Sequence, residues 1–116
     1  MKNDLVYILH IQEFCNDIIE YLKYETNSFD DFKNNKMLVD AVIRKLEIIG
    51  EASNNISETF KNKYNYIPFK EMKGIRNILI HEYFGVDHNI VYKTVVEEIP
   101  KLKKQIDEMV EMIKNG

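Results

Sequence analysis

Apolar residues recur at helical spacing along nearly the whole chain. Leu5, Ile8, Leu9, Cys15, Ile18, Ile19 and Leu22 predict a first helix over about residues 4–24. Ser28 with Asp31 three residues on resembles a capping box and starts a short helical turn through Phe29 and Phe32. Leu38, Val39, Val42, Ile43, Leu46, Ile49 and Ala52 give a second long helix, about 36–54. Ser57 caps another short helix, and Tyr64 to Ile67 reads as a connection ending at Pro68, whose missing N–H costs nothing in a first helical turn. A third main helix follows over about 68–84, with Gly85 placed to stop it. Asp87 caps the next segment, whose apolar face runs through Ile90, Val91, Val95, Ile99, Leu102, Ile106, Met109, Val110 and Ile113, and Pro100 kinks or divides it. There is no alternating strand pattern, hairpin dipeptide or glycine-rich phosphate loop. The expectation is an all-α, up-and-down bundle of four to five main helices in one domain, residues 1–116.

Composition narrows the class. At 116 residues with 45% hydrophobic and 30% charged positions, the chain has enough apolar surface for one core and is neither a disordered tail nor a disulfide scaffold. No apolar run approaches the roughly 20 residues of a bilayer span, and the first residues lack the basic and apolar blocks of a secretion signal, so a cytoplasmic protein is expected. The single cysteine, Cys15, is read as a small core residue. A net charge of -3 argues against a surface that grips polyanions all round. Local charge differs: residues 61–76 carry Lys61, Lys63, Lys70, Lys73 and Arg76 against Glu71 alone, a local +4 suited to phosphate.

Sixteen residues are basic, yet only Arg44 and Arg76 are arginine. A planar guanidinium grips a phosphate or carboxylate through two hydrogen bonds at once, which an ammonium does not, so these two positions stand out. The bland reading of each is an ordinary ion pair. For Arg44 that reading is natural, because Asp40, Arg44, Glu47 and Glu51 stack on one helical face as a salt-bridge ladder, although the same stripe is a candidate support for a site.

Three histidines supply the side chains that titrate near neutrality unaided. His10 and His88 read as surface or cap residues. His81 is different, because Arg76, Asn77, Glu82 and Tyr83 surround it in sequence. Asn77 and His81 are i, i+4 neighbours, while Arg76 and His81 lie about 140° apart around the helix. One helix alone does not focus both on one phosphate. Either the long arginine side chain reaches round, or a second copy across a two-fold axis brings the two faces together, which motivates a homodimer. His81 and Glu82 lack the spacing of a metal-binding His-Glu-x-x-His, Ser53 and Ser57 lack a nucleophile elbow, and Glu47 with Glu51 is better read as a solvated pair than as a catalytic dyad. A histidine, an arginine and an amide remain, a set suited to metal-free phosphoryl transfer.

The run Arg76-Asn77-x-x-x-His81, with Tyr83 two residues beyond, resembles the Arg-x4-6-His signature of HEPN-domain ribonucleases, and within them the HepT-type toxins encoded beside a minimal nucleotidyltransferase antitoxin. The likeness extends through Asp40 to Ala52, Ile67 to Glu71 and Ile80 to Asp87, in the same order, and so covers nearly the whole chain. Phe69 stands where the family often has tryptophan, an apolar exchange.

The resemblance implies a homodimeric bundle whose ribonuclease site lies in the cleft between protomers and needs neither metal nor other cofactor. By position, Arg76 binds the scissile phosphate, Asn77 orients substrate or histidine, and His81 is the general base or acid. Lys70 and Lys73 are the candidate RNA contacts, and Arg44, Glu47 and Glu51 the candidate supports. The attacking group is the ribose 2'-hydroxyl, so DNA is spared. Tyr83 matches the tyrosine that the partner nucleotidyltransferase adenylylates in the family, an off-switch by charge and bulk. Two rivals remain at this point. A non-catalytic helical binding module, serving as partner or substrate of a nucleotidyltransferase, needs Tyr83 but has no use for the Arg-Asn-His trio. A plain interaction domain leaves Arg76 and the basic stretch unexplained.

Overall fold

A computed structural model describes residues 2–26, 28–81 and 87–116, with backbone alone at residues 2, 80 and 81. Four long helices dominate these residues: α1 (Lys2–Glu25), α3 (Lys36–Asn55), α5 (Phe69–His81) and α7 (Ile99–Asn115). Three short ones, α2 (Phe29–Asn34), α4 (Glu58–Lys63) and α6 (His88–Lys93), turn the chain between them, and no strand occurs among the described residues. The all-α expectation holds.

Helices α2, α3, α4 and α6 start where side chains satisfy orphan backbone donors. Ser28 accepts from the Asp31 N–H, Asn35 from Leu38, Ser57 from Phe60 and Asp87 from Asn89. Ser57 is itself anchored: its N–H and its hydroxyl both donate to the Asp4 carboxylate, each at 2.8 Å. This ties the first turn of α1 to the start of α4. Burial of Asp4 pushes its carboxyl up, but the two hydrogen bonds from Ser57 more than reverse that and hold it below its ordinary value.

Helix α3 is central, packed on α5 along one side and α1 along the other, and α1 also packs on α7. Ile8, Ile11, Cys15 and Ile18 of α1 meet Val42, Leu46 and Ile49 of α3 and Ile99, Ile106 and Met109 of α7 in a core with at most 1–2% exposure at each. Two members of the apolar stripes are corrected: Leu9 and Ile90 are exposed. Leu9 is one residue from Ile8 and therefore about 100° round the helix from the buried line, which Ile11 occupies instead. Cys15 is buried as expected, and desolvation pushes its thiol up to about 12.

Pro100 divides the last segment, as the sequence predicts, and does so through a widened π turn at Thr94–Glu98 that leads directly into α7. A proline at this position has no N–H for the carbonyl of Val96 and its ring crowds that carbonyl, so the preceding turn opens. Thr94 adds to the bend by donating its hydroxyl to the Ile90 carbonyl at 2.8 Å. No described helix is long and apolar enough to cross a membrane.

Candidate functional site

The site is built where α5 crosses α3. On α5, Met72 and Leu79 are buried and Ile75 is half-buried against the core, which leaves Arg76 at the margin of the apolar face and Asn77 beyond it. The helices approach closely at this level because α3 presents Gly50. A Cβ there would lie 2.1 Å from the Arg76 Cβ and 2.7 Å from the Met72 carbonyl oxygen, both far inside ordinary contact. No other residue fits this crossing without moving a helix.

The close approach fixes where the arginine emerges. Arg76 Nη2 lies 2.7 Å from Glu51 Oε2, and Nη1 donates to Asn77 Oδ1 at 2.9 Å. The Nε–H is buried and finds no acceptor among the described residues. A guanidinium has five N–H donors, so two carboxyl and amide oxygens leave donor capacity unspent, and its orphan donor carries a desolvation cost of about 1–3 kcal/mol. The Arg76 side chain is 27% exposed, which desolvates it enough to strengthen contact with an anion and leaves it reachable.

Arg76 opens onto a groove of about 370 Å³ between α1, α3 and α5. Tyr7 and His10 of α1 form one wall, and Arg44, Glu47 and Glu51 of α3 form the other with Arg76 beside them. The stripe expected as a ladder is therefore split. Lys36 pairs with Asp40 at 3.1 Å and Arg44 with Glu47 at 3.4 Å within α3, whereas Glu51 turns across to Arg76. Sequence reasoning flagged Arg44, Glu47, Glu51 and Arg76, passed over Tyr7 and read His10 as a surface or cap residue, because spacing on α1 does not say which neighbour its wet face will meet.

The remaining predicted residues are placed as follows. His81 ends α5, one turn past Asn77. Tyr83 lies outside the described residues, as do Glu82 and Gly85. Lys70 and Lys73 are exposed on α5 but do not line the groove with Arg76; Lys70 lines a separate hollow with Lys61, Tyr66 and Glu71 at the other end of the helix. Part of the basic stretch is already engaged, with Lys61 3.7 Å from Glu58. Among the described residues no three His, Cys, Asp or Glu side chains gather as a metal-binding group.

The model of the family described as ribonuclease HepT-like matches residues 7–109. A candidate RNase of Methanocaldococcus jannaschii is 48% identical over 91% of this chain and 96% of its own. Another from Caldanaerobacter subterraneus is 43% identical over 96% of this chain and 97% of its own. A candidate ribonuclease HepT of Thermococcus cleftensis is 46% identical over 85% of this chain and 82% of its own. No solved structure matches significantly.

Proposed function

The chain belongs to the HepT-like ribonuclease family, and from that premise we propose that it is the toxin of a toxin-antitoxin pair: a homodimeric, metal-independent endoribonuclease of the cytoplasm, switched off by adenylylation of Tyr83. The observation that carries the reading is the setting of Arg76. A scarce arginine is fixed at a helix crossing by Gly50 and Glu51, is half-buried beside a groove, and lies five residues before the histidine that ends the same helix.

The chemistry follows from the side chains. The ribose 2'-hydroxyl loses its proton to a base, and its oxygen bonds to phosphorus. The bond from phosphorus to the 5'-oxygen breaks as that oxygen takes up a proton. The products are a 2',3'-cyclic phosphate and a 5'-hydroxyl. His81 carries the proton at one of these two ends, and Arg76 neutralises the charge that grows on the phosphorus oxygens. Asn77, by holding Nη1 of Arg76, sets the plane of the guanidinium fork. Since Arg76 and His81 lie about 140° apart around α5, a two-fold mate supplies the complementary face.

Tyr83 follows His81 by two residues, so AMP attached there would put phosphate charge and a purine beside the reacting groups. The modifying partner is a minimal nucleotidyltransferase antitoxin. A non-catalytic module that only presents Tyr83 to such a partner has no use for the Glu51–Arg76–Asn77 arrangement, which is why the enzymatic reading is preferred.

The test uses purified wild type, Arg76→Ala and His81→Ala with RNA in the presence of EDTA. Wild type is expected to release fragments ending in 2',3'-cyclic phosphate, and both variants to release none while keeping their helical circular dichroism. Equal cleavage by all three proteins, or loss of wild-type cleavage in EDTA with restoration by a divalent ion, would overturn the proposal.

A further inference from the structure

Fourteen of the sixteen basic residues are lysine, and the only two arginines of the chain line the same groove. They lie on different helices, so no helical periodicity brings them together. Arg76 is tightly held, but Arg44 is not. Its side chain is 70% exposed, and its pair with Glu47 is long, at 3.4 Å. A surface pair of that kind contributes little, so a phosphate can replace the carboxylate at small cost.

From this arrangement we propose that the groove between α1, α3 and α5 is a substrate subsite that seats the RNA nucleotide next to the cleaved bond, with Arg44 gripping its flanking phosphate. The inference rests on the ribonuclease reading above for the place of the cleaved bond beside Arg76. Arg44 precedes Glu51, the anchor of Arg76, by seven residues, which is about 10 Å along α3 and enough to separate two phosphates of one strand. The groove is open to solvent and, at about 370 Å³, has room for a small ligand. Tyr7 and His10 on the facing wall offer rings on which a base stacks, the usual grip on single-stranded RNA. An arginine suits the phosphate because its fork meets two oxygens at once, which explains why this position has not joined the chain's general preference for lysine. Glu47 then has two roles: it holds the Arg44 guanidinium over the groove when RNA is absent, and it yields to the phosphate when RNA arrives.

The experiment reads binding, so that it does not depend on turnover. A short 2'-O-methyl RNA lacks the attacking hydroxyl and is not cleaved; its affinity for wild type, Arg44→Ala and Arg44→Lys is followed by fluorescence anisotropy from low to moderate salt. Arg44 is exposed, so its truncation leaves the core intact. Arg44→Ala is expected to weaken binding about tenfold or more at low salt. It is also expected to lower the slope of log affinity against log salt by about 0.7, the signature of one lost contact to a single strand. Arg44→Lys should restore the slope and only part of the affinity. Unchanged affinity and slope in Arg44→Ala would overturn the subsite. So would an equal loss for free AMP, which would make the groove a mononucleotide pocket. If wild type cleaves no RNA but the slope still falls on Arg44→Ala, the subsite stands and the enzymatic reading fails.

Discussion

Replacing Gly50 with alanine tests whether the helix crossing sets the site. The added methyl would stand 2.1 Å from the Arg76 Cβ and 2.7 Å from the Met72 carbonyl oxygen. Neither is the tip of a flexible side chain, so relief requires α5 to retreat. Ordinary carbon contact begins near 3.5–4.0 Å, which sets the retreat at about 1.5 Å. Overpacking of this kind costs about 1–3 kcal/mol, and the better helix propensity of alanine returns about 1 kcal/mol, so a net loss of up to about 2 kcal/mol in urea unfolding is expected. Activity should fall further than stability, since displacing a catalytic group by about 1 Å can cost roughly a hundredfold in rate. Gly74 is the matched control. A Cβ there meets nothing within 4 Å, so Gly74→Ala should gain up to about 1 kcal/mol from helix propensity and reduced unfolded-state freedom. If both alanines stabilised the protein alike and the Gly50→Ala protein cleaved RNA at the wild-type rate, the steric argument would be wrong.

Three further outcomes follow from the described contacts. Glu51→Gln keeps the shape but removes the charge opposite Arg76, and should lower the RNA cleavage rate while changing stability by less than about 1 kcal/mol; an unchanged rate would show that Asn77 alone orients the guanidinium. Asp4 has its carboxyl held low by Ser57, so its contribution is complete above an unfolded value of about 3.9 and fades as pH falls through the lower folded value; Asp4→Asn should therefore be less stable than wild type at pH 7, with the gap closing below about pH 4 in thermal melts. Cys15, buried and with its thiol pushed up to about 12, should resist alkylation at pH 8 until the chain unfolds, and labelling faster than global opening would show a local path to the core.

Much of the fold is legible because it is local. Ser28, Ser57 and Asp87 cap helices as their spacing predicts, since a side chain reaching two or three residues ahead needs no tertiary partner. Pro100 marks a break for the same reason. The candidate site is legible only in its members. Arg76 stands out by scarcity, and Glu51 by its place on a polar stripe, but their 2.7 Å contact joins residues of two helices and depends on the missing side chain of Gly50. Periodicity alone gives Glu51 to the intrahelical ladder. Tyr7 and His10 show the same limit: they are unremarkable surface positions on α1 until α3 and α5 are packed beside them.

The π turn before α7 has a consequence for how this chain tolerates changes in length. Val91, Val95 and Ile99 are buried before, within and after it, so the wide turn takes up an extra residue while both flanking segments keep their apolar side on the core. Deleting one residue from Thr94–Glu98 would replace the wide turn, in which five residues close about one turn, with an ordinary one of four residues, and so leave Val91 facing the core. A buried helix rarely forgives a missing codon; here the widened turn is a slack link that would take one up.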